Sequence, residues 1–289
     1  MPQSNKVEHQ WLTQRVRVLP HEWMVRQMGH QDGPIILFLH GTGADGCSFT
    51  RVAQLLGDSM SCFALDLPGH GETKLGRRHR SNVGPMAEDI AQLMGHLNLT
   101  PDIVVGHSAG AAISLEMARQ AYLRPETLIL TLNAAVAKFE GLAGWLFPTL
   151  AKLMALNPLT SRLASYQMNE QRVRQLLLST GSDPTEEMTE RYTKLVKNAR
   201  HVDGALLMMA QWDLTDLMRY LRSICHKVIM LANKGDLTVP AKTSIDTATY
   251  LSHAKVQLIE QGGHLFHETE PDIIAELIQT EWRNHGPQH

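Results

Sequence analysis

Residues 101–118 read PDIVVGHSAGAAISLEMA, an apolar run that breaks at Gly106-His107-Ser108-Ala109-Gly110 and continues in small residues. Two glycines bracket one hydroxyl. The β-branched run before the break suits a strand buried on both faces, and the small residues after it suit a helix lying close against a sheet. A strand-to-helix turn this tight either meets a packing requirement or presents Ser108 at its apex.

Working outward, the same rhythm recurs. PIILFLHG (34–41), SCFALDLPG (61–69), TLILTLN (127–133), HKVIMLAN (226–233) and AKVQLIE (254–260) are apolar segments ending in turn residues, as expected of strands in a parallel sheet. HEWMVRQMG (21–29) alternates like an antiparallel edge strand. Between the runs lie amphipathic segments: Met86, Ile90, Leu93 and Leu97 fall at helical spacing, as do Ile273, Ile274, Leu277 and Ile278. Alternating strand and helix predicts a mostly parallel, doubly wound α/β sheet. From about Ala137 to Ser223 no strand run appears, only helical patterns punctuated by Pro and Gly, a stretch too long for an ordinary connection. The expected organisation is therefore a core of residues 1–136 and 224–289 with a helical cap inserted at 137–223.

Bulk properties narrow the function classes. With 43% hydrophobic and 19% charged residues, the 289-residue chain has the composition of a globular protein with a substantial core. A net charge of -2 argues against a nucleic-acid surface. MPQSNKVEHQWLTQR is too polar for a signal peptide, and no apolar run reaches the roughly 18 residues that cross a bilayer, so a cytoplasmic chain without a transmembrane segment is expected. Cys47, Cys62 and Cys225, odd in number and far apart, fit reduced thiols acting as small buried hydrophobes. GRRHR (76–80) reads as a solvated loop. The histidines show no metal-ligand spacing, and no cofactor is expected.

Ser108 can now be weighed. Gly-x-Ser-x-Gly between a buried strand and a helix is the pattern of a nucleophile elbow, in which a strained turn exposes the serine oxygen. Serine needs a base to take its proton and an acid to orient that base, in the chain order Ser, acid, His for this architecture. Asp236 lies in a turn just after HKVIMLAN, closed by Val239 and Pro240. His264 follows Gly262 and Gly263 after the last strand. His253 precedes that strand, and His267 belongs to the segment entering the final helix, so both are weaker candidates. For an oxyanion hole, the Gly41-Thr42-Gly43 turn offers the N–H of Thr42, and the elbow offers that of Ala109. HGTGADG lacks the endings of a dinucleotide or P-loop motif.

Taken together, HGTGA, LDLPGHGET, VVGHSAGAA, NKGDLTVP and GGHLFHETEP resemble the α/β-hydrolase fold superfamily along nearly the whole chain. The segments LNAAVAKFEGLAGWLFPTLAKLMALNP, LLSTGSDP and HVDGALLMMAQWDLTDL resemble the magnesium-chelatase-associated α/β-hydrolase of bacteriochlorophyll biosynthesis. The first resemblance implies a serine hydrolase acting on a carboxylic ester or related acyl compound. The second implies work near tetrapyrroles and weak contact with magnesium chelatase. It leaves open the alternative of a non-catalytic tetrapyrrole-binding accessory protein. Trp145, Phe147, Met154, Tyr166, Met208, Met209 and Trp212 are bulky or adaptable groups in the insert. They would suit an apolar chamber above Ser108 for an apolar small-molecule substrate, with the resemblance favouring a large flat one such as a porphyrin ester over a short-chain acyl group.

Overall fold

The apolar runs form an eight-stranded sheet in the order β1-β2-β4-β3-β5-β6-β7-β8, seen in a computed structural model that describes residues 10–136, 165–166 and 168–285. The strands are β1 (Leu12–Val18), β2 (His21–Gly29), β3 (Ile35–Leu39), β4 (Ser61–Leu65), β5 (Ile103–His107), β6 (Leu128–Leu132), β7 (Val228–Asn233) and β8 (Ala254–Ile259). β1 and β2 run antiparallel to their neighbours, and the pairs from β4 through β8 are parallel. The main helices before β6 are α1 (Thr50–Leu56), α2 (Val83–Leu97) and α3 (Ala109–Arg119). Between β6 and β7 lie α4 (Glu170–Leu178), α5 (Glu186–Lys197), α6 (Ala199–Gln211) and α7 (Thr215–Arg219). The chain then adds α8 (Ala241–Ala248), α9 (Phe266–Thr269) and α10 (Pro271–Arg283).

The two-residue period of the strands divides the core. Leu37, Leu39, Val104, Ile129 and Met230 face one cluster with α2 and α3, while Ile36, Phe38, Val105, Leu130 and Leu231 face another with α1 and α10. Parallel strands covered on both faces must be apolar throughout, which is why these segments read as continuous hydrophobic runs.

Local chemistry starts the helices of the insert. Asn169 caps α4 by accepting the Arg172 N–H at 2.9 Å, and Thr185 caps α5 by accepting the Met188 N–H at 3.1 Å. Glu186 and Glu187 open α5 while Lys194 and Lys197 close it, in the sense the helix dipole favours.

Three expectations change. HEWMVRQMG is not the edge: β1 pairs outside it from Leu12↔Gln27 to Val18↔His21. β1 escapes sequence reading because only Val16 in it is buried. AKVQLIE, expected to be covered on both faces, is the far edge strand β8 and stays half-exposed, since a neighbour lies on one side alone. GRRHR is solvent-exposed from Gly76 to His79 as expected, and within it Arg78 forks onto Asp203 of α6 while Arg80 pairs with Asp89 and Glu88. Of the cysteines, all free, only Cys62 is buried; Cys225 is exposed. Among the described residues, no helix is long and apolar enough to cross a membrane.

Candidate functional site

β5 ends at His107 and α3 begins at Ala109, leaving Ser108 between them at φ 52° and ψ -111°. This sparsely populated backbone conformation costs on the order of 1–3 kcal/mol and persists only when its surroundings impose it. Here they do: the Ser108 N–H donates to Leu132 O at 2.9 Å, and its carbonyl accepts from Ala111 (3.2 Å) and Ala135 (3.1 Å). The bracketing glycines are a packing requirement. A Cβ on Gly106 would lie 2.4 Å from Gly110 O, and one on Gly110 would lie 2.1 Å from Leu39 O. Their consequence is the presentation of Ser108, which is half-exposed between buried neighbours.

Strand order decides what faces it. β3 pairs with β4 on one side and β5 on the other, the reversal of strand order beyond whose carboxyl ends open α/β sheets place their sites. Gly41, just after β3, meets Ser108 there: a Cβ on Gly41 would sit 3.0 Å from Ser108 Cβ. Thr42 is exposed, and its hydroxyl donates to Met208 Sδ at 3.4 Å. Ala109 opens α3, so its N–H has no acceptor within the helix.

Asp236 and His264 lie beyond β7 and β8 at the same end of the sheet. His264 Nδ1 is 2.7 Å from Asp236 Oδ2. The other carboxylate oxygen accepts the N–H groups of Thr238 (2.7 Å) and Val239 (2.8 Å), which fixes the acid in its turn. The pairing suits the tautomer of His264 with its proton on Nδ1, which leaves Nε2 as an acceptor. The loop of His264 is held from the sheet side by Asn133, at φ 46°, whose Nδ2 donates to Gly263 O (3.1 Å) and His264 O (3.0 Å). His107 Nε2 donates to the same His264 carbonyl at 3.0 Å. His253 lies exposed before β8, whereas His267 is buried in α9 with its ring 4.2 Å from that of His107.

Around this pair the electrostatics are those of neutral imidazoles. Burial pushes His40 and His201 down to about 4, and holds His70, His107 and His267 well below the usual histidine range. His201 of α6 donates to Gly43 O at 3.1 Å and accepts the Gly71 N–H at 2.9 Å, tying the insert to the turn that carries Thr42. Arg191 of α5 bridges Asp45 and Glu268, and Tyr192 donates to Glu268 at 2.7 Å. Burial opposes the charge on Arg191, but Glu268 and Asp45 keep the guanidinium protonated. The Glu268 carboxyl is nevertheless raised, because burial outweighs the pull of Arg191.

Of the insert residues named as pocket candidates, the described ones divide: Met208 and Trp212 join one apolar cluster, while Met209 and Tyr166 face outward. Met208 is fully buried against Thr42, Trp212 packs partly buried on the core cluster around α2 and α3, Met209 is 37% exposed and Tyr166 is 89% exposed. Trp145, Phe147 and Met154 lie outside the described residues. Sequence reasoning passed over Asn133, His107, His201, Arg191 and the Thr180–Ser182 loop. The one visible signal was a polar Asn133 closing TLILTLN.

Comparison with known proteins bears on the fold. The family model for the alpha/beta hydrolase fold matches residues 34–271. The magnesium-chelatase 30 kDa subunit of Rhodobacter capsulatus is 42% identical over 265 residues, spanning 91% of this chain and 92% of that protein. A putative carbamate hydrolase of Caulobacter vibrioides, RutD, is 25% identical over 262 residues, 84% and 88% of the two chains. Among solved structures, the epoxide hydrolase CorEH aligns with a TM-score of 0.76 at 17% identity, covering 95% of this chain and 99% of that one. A 2-hydroxy-6-oxo-6-phenylhexa-2,4-dienoate hydrolase from a Rhodococcus species aligns with a TM-score of 0.75 at 20% identity, with the same coverage.

Proposed function

The chain belongs to the α/β-hydrolase fold family, and from that premise we propose that it is a serine hydrolase acting on a carboxylic ester or related acyl compound. Ser108 is the nucleophile, His264 the base and Asp236 the acid that orients it. In the first half-reaction Ser108 Oγ attacks the acyl carbon while His264 Nε2 takes its proton. The developing oxyanion accepts the N–H groups of Thr42 and Ala109. His264 then hands the proton to the leaving alkoxide, and water repeats the sequence to release the acid. The observation that carries this reading is the 2.7 Å His264–Asp236 contact at the same end of the sheet as a serine held in strained backbone. We read residues 137–223 as a helical cap over this site, supported by the bonds from α5 and α6 to the loops after β3 and β8. A cytoplasmic setting, where the three thiols stay reduced, goes with the reading.

Labelling with a fluorophosphonate tests it, alongside turnover of an activated ester by Ser108→Ala. Stoichiometric labelling of the wild type, lost together with at least about 10³-fold in kcat in the variant while the fold stays intact, is the expected outcome. Wild-type turnover by Ser108→Ala would remove the assignment.

A second reading is favoured by the 42% identity to a protein named for magnesium chelatase: a tetrapyrrole-binding accessory protein that needs no turnover and touches the chelatase weakly. Titration with protoporphyrin and its magnesium monomethyl ester, followed by tryptophan quenching, separates the two. Saturable binding below about 100 μM, or roughly -5.5 kcal/mol, that survives Ser108→Ala without any ester turnover would favour the accessory role.

A further inference from the structure

Between α4 and α5 the chain makes a short loop, Thr180-Gly181-Ser182, that is remote in sequence from Asp236 and His264 but bonded to the segments of both. The Thr180 carbonyl accepts two N–H groups, from Leu237 and from His264, each at 3.2 Å. Ser182, 2% exposed, accepts the Leu265 N–H on its hydroxyl oxygen at 2.8 Å. Gly181, at φ +84°, lets the backbone approach both partners: a Cβ there would be 2.1 Å from Gly235 O, and one on Gly263 would be 2.2 Å from Gly181 C. Leu237 follows Asp236 directly, and Leu265 follows His264. One tripeptide of the insert thus contacts the residues flanking the acid and the base on one side, while Asn133 holds the His264 loop from the other.

A single carbonyl that receives an N–H from each loop sets the spacing between those loops without using the bond between the two side chains. The 2.7 Å contact of His264 with Asp236 depends on that spacing, since a charge-assisted bond weakens steeply once its partners drift apart. We propose that Thr180-Gly181-Ser182 is a positioning element that holds Asp236 and His264 in register, so that the insert helps assemble the site as well as covering it. Its catalytic consequence rests on the hydrolase reading. The geometry it governs exists in the resting protein and can be read without turnover.

Ser182→Ala removes the side-chain acceptor and leaves Ser108, Asp236 and His264 in place. On the full chain, kcat for an activated ester and the rate of fluorophosphonate labelling should fall about tenfold, with KM changed by less than about twofold. The low-field proton NMR signal of the His264 Nδ1–H should shift upfield or broaden away, and Ser182→Thr, which keeps the oxygen, should restore both readouts. If Ser182→Ala does not accumulate as folded protein, Ser182→Cys keeps the volume with a weaker acceptor and is read the same way. Wild-type labelling together with an unmoved imidazole proton in the folded variant would overturn the proposal. If the wild type neither labels nor turns over, the hydrolase reading fails, and the imidazole proton still decides the positioning role.

Discussion

In β5 and β6 every residue is buried, whereas in α4 of the insert only Val173 and Leu177 are. The sheet is held by apolar surface packed on two faces, a force that is large and non-directional. Among the described residues, α4 and α5 share a small apolar cluster with Ala44 and Leu265. Much of their remaining grip on the core is directional: Arg191 on Asp45 and Glu268, Thr180 O on two backbone amides, Ser182 on a third. Burial is non-directional, while hydrogen bonds and ion pairs contribute less net energy and depend on the placement of particular atoms. The contrast teaches that the sheet supplies stability and the insert supplies alignment.

The comparison would break first at the sheet. Phe38, fully buried and stacked on Phe49 with centroids 4.7 Å apart, should cost about 4 kcal/mol of global stability as Phe38→Ala, read as a lower urea midpoint. A loss below about 1 kcal/mol would mean that the sheet does not dominate stability.

A smaller and more local effect is expected at the insert. Arg191→Met strands the carboxylates of Glu268 and Asp45, whose side chains are 5% and 9% exposed, and should loosen α5 by about 3 kcal/mol. Hydrogen exchange would show the loss in α5 amides while β5 and β6 keep their protection. Equal loss in both regions would erase the distinction drawn here.

The smallest effect is expected from the acid response of two buried histidines, one beside β3 and one in the insert. His40 and His201 sit near 4 in the fold, pushed down from 6.5 by burial, so below pH 6.5 the unfolded chain takes up protons that the fold refuses. Their share of stability is complete above pH 6.5 and shrinks as the pH falls toward 4. By pH 5.5 it should be lower by about 1 kcal/mol for each group, or about 2 kcal/mol together. Urea midpoints at pH 7 and 5.5, compared between wild type and variant, measure this: His201→Gln should narrow the difference by about 1 kcal/mol, with His70, His107 and His267 contributing the same background to both. A pH-independent midpoint would show that these rings are accessible to protons in the fold.

Much of the architecture and part of the candidate site was legible in one dimension because both rest on local rules. Parallel strands buried on two faces must be continuously apolar, so β3 through β7 announced themselves. A tight strand-to-helix turn must use small residues, so Gly106 and Gly110 marked Ser108. Asp236 and His264 stood out as polar residues just beyond the carboxyl ends of β7 and β8, where the backbone turns. β1 gave no such signal: an edge strand with one buried residue looks like a polar segment.

What only the tertiary structure decided is which distant residues meet. Nothing in the identity of Thr180 foretells that its carbonyl will receive amides from Leu237 and His264, because every residue carries the same carbonyl. Arg191 reads as one more charge on an amphipathic helix until the fold closes it over Asp45 and Glu268. Asn133 and His107 look like a turn residue and a spacer until the loop of His264 crosses above them. Hydrophobic pattern is periodic along the chain and can be read from it. A directional bond between residues far apart has no period, and appears only when the strand order has brought its two ends together.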